Sequence, residues 1–181
     1  MHSINPVLGA IVCGSGALLF ALAGAHKLRA RAEFAETLAG YRLLSARLVP
    51  PASRLVPTLE CLIAAGLLTA SARQPASLAG AALLTVYAGA MGVNLLRGRR
   101  QLDCGCLGPR GGGRVSPALV LRNILVALAL AAAGDLRWSS WPPVLWLDAG
   151  TVLAAVCALA LLYSAANGLL ALAARHSPQR S

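Results

Sequence analysis

The chain has 181 residues, 57% of them hydrophobic and only 12% charged, and its mean hydropathy is +0.69. Soluble domains carry about 25% charged residues, so this composition excludes an ordinary water-soluble enzyme and points into a bilayer. The net charge of +10 would mark a nucleic-acid binder in a soluble chain, but the basic residues here are segregated from long uncharged stretches, and no nucleic-acid partner is expected.

Runs of about 18 or more apolar residues are long enough to cross the hydrocarbon core as helices, where each must satisfy its own backbone. Five crossings are expected. The first covers about residues 6–25, PVLGAIVCGSGALLFALAGA, with Asn5 as N-cap and Pro6 at the first helical position. A cleaved signal peptide is the rival reading of this segment, but it lacks a basic leading region and its apolar run is longer than usual. In the 26–54 connection Phe34, Leu38 and Tyr41 share a helical face, with Glu33, Glu36 and Arg42 elsewhere on the turn. That pattern reads as a short amphipathic helix in the membrane interface. The second and third crossings are expected at about 55–72 and 75–96. A glycine-rich loop at 98–115 precedes the fourth, 116–134, which opens on Ser116-Pro117, and the fifth, 148–174, opens on Asp148. Small residues recur in every crossing and allow close helix approach in lipid. The expected fold is an all-α integral membrane protein, a compact bundle of about five transmembrane helices. It forms a single membrane domain, 1–174, followed by a short basic cytoplasmic tail, 175–181.

The charges set an orientation. Lys27, Arg29, Arg31, Arg42, Arg47 and Arg54 lie between the first two crossings, and Arg97, Arg99, Arg100, Arg110 and Arg114 between the third and fourth. With Arg122, Arg175 and Arg180 they place 14 basic residues on one side, against Arg73 and Arg137 on the other. The positive-inside rule then puts the N-terminus outside and the C-terminus in the cytoplasm. Trp138, Trp141 and Trp146 fall together in the 135–147 loop, as an aromatic belt at the outer interface.

Ionisable groups inside membrane helices are costly and are usually paired or functional. Glu60 lies about six residues past Arg54, roughly 9 Å into the second crossing at 1.5 Å per residue. Arg122 and Asn123 lie at similar depth in the fourth. Asn94 and Arg97 are three apart at the end of the third, hence on one face, and Lys27 caps the first. A polar cluster is expected in which Arg122 or Lys27 neutralises Glu60. It is either a structural ion pair that locks the bundle or a group that tunes the cysteine loop above it.

Of five cysteines, Cys13 and Cys157 sit in apolar helices and read as small hydrophobes, while Cys61 follows Glu60 and is ambiguous. Cys104 and Cys106 differ in kind. Gly105 between them permits a tight backbone, and nearby arginines favour thiolate over thiol while Asp103 opposes it. Three readings stand: a pair cycling between dithiol and disulfide, a metal site completed by Asp103 or His26, although zinc takes four ligands, or a static staple of the loop. No dinucleotide or haem motif is present, which leaves a quinone or a partner thiol as the electron acceptor.

These residues resemble a known family. The succession Lys27, Phe34, Tyr41, Leu43-Leu44, Pro57, Glu60, Tyr87, Asn94 and Arg97-Gly98-Arg99, then Asp103-Cys104-Gly105-Cys106-Leu107-Gly108 and Arg122-Asn123, is similar to that of the methylamine utilisation protein MauE family, related to DoxX-like membrane proteins. The likeness covers about residues 10–135, and Leu107 stands where the pattern has an aromatic residue. It implies a bacterial inner-membrane factor that assists maturation of an exported protein, in the family the disulfide-rich beta subunit of methylamine dehydrogenase. It also implies a thioredoxin-like partner and the exported client itself. On that basis Cys104 and Cys106 are the candidate redox pair, supported by Lys27, Glu60, Asn94, Arg97, Asp103, Arg122 and Asn123. The alternative is a non-enzymatic assembly protein whose CGC loop is a docking staple. A solute carrier is disfavoured, because no crossing is broken in the manner of a substrate site. Disulfide formation in an exported client belongs outside the cytoplasm, whereas the charges place the CGC loop inside. Either the pair passes reducing equivalents across the bundle, or it does not itself meet the client.

Overall fold

The computed structural model describes residues 6–99, 102 and 115–134, together with 150, 151, 153–158, 160–162 and 165. Five helices follow in order: α1 (Pro6–Arg29), α2 (Arg31–Tyr41), α3 (Val49–Leu68), α4 (Arg73–Leu96) and α5 (Pro117–Gly134). Among the described residues there is no strand. Four helices are long and apolar enough to cross a membrane: Leu8–Arg29, Val49–Leu68, Arg73–Leu96 and Pro117–Gly134. They match the first four expected crossings. At the fifth, Leu153–Leu162 is an apolar helix shorter than a crossing, and Val156 packs against α1 at Gly14. The remainder of that crossing, the tryptophan loop, Asn5 and the 175–181 tail lie outside the described residues.

The second crossing starts earlier than expected, at Val49 rather than near residue 55. Pro50 and Pro51 occupy its first turn, where a missing N–H costs nothing and the fixed φ favours the helix. Glu60 therefore lies eleven residues into α3, roughly 16 Å from its start, and deeper than the sequence implied. The amphipathic segment is helical as expected, but its apolar face turns inward. Phe34 and Tyr41 are buried, and α2 packs chiefly against α3. It ends at Arg42, whose φ of 51° breaks the helix.

Phe20, Ile63, Leu67, Leu84 and Leu130 form the centre of the bundle. The outward surfaces remain apolar, as at Leu55, Leu62, Val86 and Leu128, the pattern of helices solvated by lipid. Lipid tails give these helices no hydrophobic reason to associate, so close packing has to hold them. At Gly24 a Cβ would stand 3.0 Å from the Pro57 carbonyl oxygen and 2.8 Å from Cys61 Sγ, which ties α1 to α3 beside Glu60. Gly24→Ala is expected to destabilise the protein by about 2 kcal/mol through overpacking. Gly89→Ala, with nothing within 4 Å of the added atom, should be neutral or slightly stabilising from helix propensity. Thermal unfolding of both variants in detergent checks the pair, and equal losses would refute the contact's role.

Candidate functional site

At one end of the bundle α1, α3 and α4 bring three polar side chains together. Lys27 is in the last turn of α1 and is 2% exposed, while Glu60 on α3 is 0% exposed. The long apolar stem of lysine lets its ammonium reach inward along the helix. Lys27 Nζ forms an ion pair with Glu60 Oε1 and lies 3.3 Å from Tyr87 Oη. Tyr87 Oη donates to the same carboxylate oxygen at 2.7 Å. The ammonium also stands 5.0 Å from the Phe34 ring centroid and 4.8 Å from that of Tyr87, within cation–π range. Glu60 Oε2 is buried and makes no hydrogen bond among the described residues.

Local sequence explains the placement. Pro57, one turn before Glu60, is buried inside α3 and withdraws an N–H from the ladder, leaving the Ser53 carbonyl without its helical donor. Ser53, Pro57, Glu60, Ala64 and Leu67 form the buried stripe of α3, so Glu60 occupies a position that the helical period turns inward. A buried ion pair repays its desolvation only with good geometry and further hydrogen bonds. Here the Tyr87 hydroxyl supplies a hydrogen bond, and the Phe34 and Tyr87 rings add cation–π contacts.

A second group sits one or two turns further toward the same end. Asn94 is 0% exposed and donates to the Ala90 carbonyl at 3.1 Å. Arg99 Nη1 donates to Asn94 Oδ1 at 3.1 Å and to the Tyr41 carbonyl, at the end of α2, at 3.3 Å. Next to it the Val115 N–H donates to the Leu102 carbonyl at 2.9 Å. That bond closes the base of the 103–114 segment. Tyr41, Met91, Val115 and Leu119 cluster there, with Leu102 and Tyr87 against them. Tyr87 thus touches both the loop base and the inner core. On α5, Arg122 Nη2 donates to Asn123 Oδ1 at 3.3 Å, and the buried Asn123 Nδ2 makes no hydrogen bond among the described residues.

Of the sequence-nominated polar residues, the structure brings together Lys27 and Glu60, and Lys27 rather than Arg122 is the carboxylate's partner. Asn94, Arg122 and Asn123 are placed at the same end in separate contacts. Arg97 does not share the buried face of Asn94. The helix ends at Leu96, so the three-residue spacing no longer describes a helical face, and Arg97 is exposed. Asp103, Cys104 and Cys106 lie outside the described residues. Cys13 is buried as expected but has a polar neighbour, Ser77 Oγ at 3.9 Å. Among the described residues Cys157 is exposed rather than buried. Sequence reasoning missed Tyr87, Phe34 and Arg99 as members of these groups. A tyrosine in mid-crossing was the available signal, since its hydroxyl needs a buried partner.

These features define a multi-pass helical membrane protein whose bundle encloses a buried Lys27–Glu60 ion pair. The chain belongs to the MauE family: the model for methylamine utilisation protein MauE matches residues 5–136. It is similar to the "Methylamine utilization protein MauE" of Paracoccus denitrificans, 39% identical over 168 residues, which are 91% of this chain and 88% of that protein. It is also similar to the proteins of the same name from Methylophilus methylotrophus, 38% identical over 83% of this chain and 80% of the relative, and from Paracoccus versutus, 41% identical over 88% and 86%. No solved structure matches significantly.

Proposed function

We propose that this protein is a membrane factor of methylamine utilisation that assists maturation of an exported client by thiol–disulfide exchange. Cys104 and Cys106 form the redox pair, mounted on the stem that the Val115–Leu102 backbone bond closes. The observation that supports the reading is this closed stem, whose ends, Leu102 and Val115, meet at the polar end of a bundle belonging to a methylamine-utilisation family. The Lys27–Glu60–Tyr87 group holds the helices in register below it. Asn94, Arg122 and Asn123 stiffen the same end, while Arg97 and Asp103 flank the segment. A thioredoxin-like protein and the exported client are the exchange partners, and a partner thiol or a membrane quinone is the terminal acceptor.

The setting is the bacterial inner membrane with the N-terminus outside. Both the α1-to-α3 connection and the α4-to-α5 connection, which carry the basic residues, lie at one end of the bundle, and this end is cytoplasmic by the charge rule. A membrane-impermeant maleimide, applied to intact cells carrying a variant with only Cys104 and Cys106, tests orientation and redox state together. Labelling only after lysis is expected. Labelling of intact cells after gentle reduction would place the pair outside as a disulfide and make direct oxidation of the client the working mechanism.

A second reading, a non-enzymatic assembly protein, draws on the same buried ion pair. A fully buried pair with two aromatic neighbours, Phe34 and Tyr87, fixes helix register without any chemistry at the loop.

A further inference from the structure

Two arginines stand at one depth on the outer surface of the bundle. Gly16 on α1 packs against Leu67 on α3, and Gly24 packs against the turn from Pro57 to Cys61, so these two helices run antiparallel. Arg29 lies thirteen residues on from Gly16, and Arg54 lies thirteen residues back from Leu67. At 1.5 Å per residue both are roughly 20 Å from that contact, level with each other near one end of the bundle. Each also sits on a face open to lipid. Arg29 follows Leu18 and Leu22 at helical spacing, and Arg54 heads a stripe that runs through Leu55, Leu59 and Leu62; all of these are exposed.

Among the described residues no carboxylate pairs with either guanidinium. Glu60 is engaged by Lys27, and Glu33 and Glu36 are exposed on α2. The turn that leads into α3, residues 42–48, is exposed throughout. It carries Arg42 and Arg47 among Leu43, Leu44 and Leu48. Leucines interleaved with cations suit the boundary between headgroups and acyl chains, where the apolar groups leave water and the guanidinium groups keep it. A soluble anion would answer the arginines and leave the leucines in water.

We propose that this end of the bundle binds anionic phospholipid, with Arg29 and Arg54 as the phosphate contacts and Leu43, Leu44 and Leu48 seated in the headgroup boundary. The planar guanidinium fork matches phosphate oxygens two at a time. A zwitterionic lipid offers the same phosphate with its own cation attached, so the two unpaired arginines favour a headgroup of net negative charge. The site is independent of the thiol chemistry proposed above and of which side of the membrane this end faces.

The test uses the full chain in nanodiscs of phosphatidylcholine with a minority of phosphatidylglycerol. The protein is released into mild detergent, and native mass spectrometry reads the ratio of the two lipids that stay bound. The parent is expected to hold phosphatidylglycerol well above its bulk share. Arg54→Gln should lower that preference about fivefold, and Arg29→Gln with Arg54→Gln about thirtyfold. Lysine at both positions keeps the charge and should keep most of the preference. Arg97→Gln removes an exposed cation of α4 and should leave the ratio unchanged; a loss equal to that of Arg54→Gln means a diffuse basic surface and overturns the site. Added sodium chloride screens exposed charges and must lower the parent's ratio, which provides the reading if the double variant does not fold. Inorganic phosphate should displace no more lipid than chloride at equal ionic strength. Selective displacement by phosphate marks a soluble-anion site and overturns the lipid assignment. A parent ratio equal to the bulk, or one that the double variant leaves unchanged, overturns the proposal.

Discussion

Glu60→Leu is expected to destabilise the purified protein by about 3–5 kcal/mol, the cost of leaving one member of a buried pair behind. The change strands the Lys27 ammonium, 2% exposed, beside Tyr87 Oη at 3.3 Å and two aromatic faces. Lys27→Met strands the carboxylate instead and should cost a comparable amount. The combined Lys27→Met, Glu60→Leu variant removes both charges. Replacing a buried pair by apolar groups of similar size is often neutral or stabilising, so the double variant should recover to within about 1 kcal/mol of the parent. Tyr87→Phe loses one hydrogen bond to a charged group and should cost about 1.5–3 kcal/mol. Thermal melts in one detergent compare the four variants with the parent. Single variants as stable as the parent would show that the pair does not hold the bundle. The double variant also separates the two functional readings. If it is stable and still supports methylamine-dependent growth, the group serves structure alone. If it is stable but inactive, the acid–base pair takes part in the chemistry.

The second large effect is at the loop. Cys104→Ser and Cys106→Ser should each reduce maturation of the exported client to background, because serine neither forms a disulfide nor presents a thiolate nucleophile. Membrane abundance should stay unchanged, since the Val115–Leu102 bond and the Tyr41, Met91 and Leu119 cluster hold the stem. The readouts are client disulfide content, by gel shift after thiol capping, and immunoblot level of the variant. A fully active double-serine variant would sink the redox reading and leave assembly as the function. A variant that disappears from the membrane would point to a structural staple.

Membership of a membrane class was legible from composition, and the four described crossings were legible from uncharged length. Both follow from the bilayer's thickness and from the cost of an unsatisfied backbone in lipid. These constraints act on the chain locally and need no knowledge of neighbours. The early start of α3 was also written in Pro50 and Pro51, though hydropathy pulled the expected boundary inward to the end of the charged residues. Lys27, Glu60, Asn94, Arg122 and Asn123 stood out for the same local reason: polar groups are expensive in lipid.

What the sequence could not decide was pairing. Glu60 had two cations at suitable depth, Lys27 and Arg122, and helical spacing is silent on which helices adjoin. The packing of α1 against α3 through Gly24 settled it in favour of Lys27. The inward turn of α2 decided that Phe34 covers the ammonium rather than lying in lipid. The end of α4 at Leu96 decided that Arg99, not Arg97, meets Asn94, because a side chain past the last turn is aimed by the loop and no longer by the 3.6-residue period. Charge and hydropathy are properties of single residues and short windows, and they determined the bundle and its end-to-end polarity. The Lys27–Glu60 ion pair, the Lys27–Tyr87 contact and the Arg99–Tyr41 bond join residues 33 to 60 positions apart, and only the packed helices bring those together.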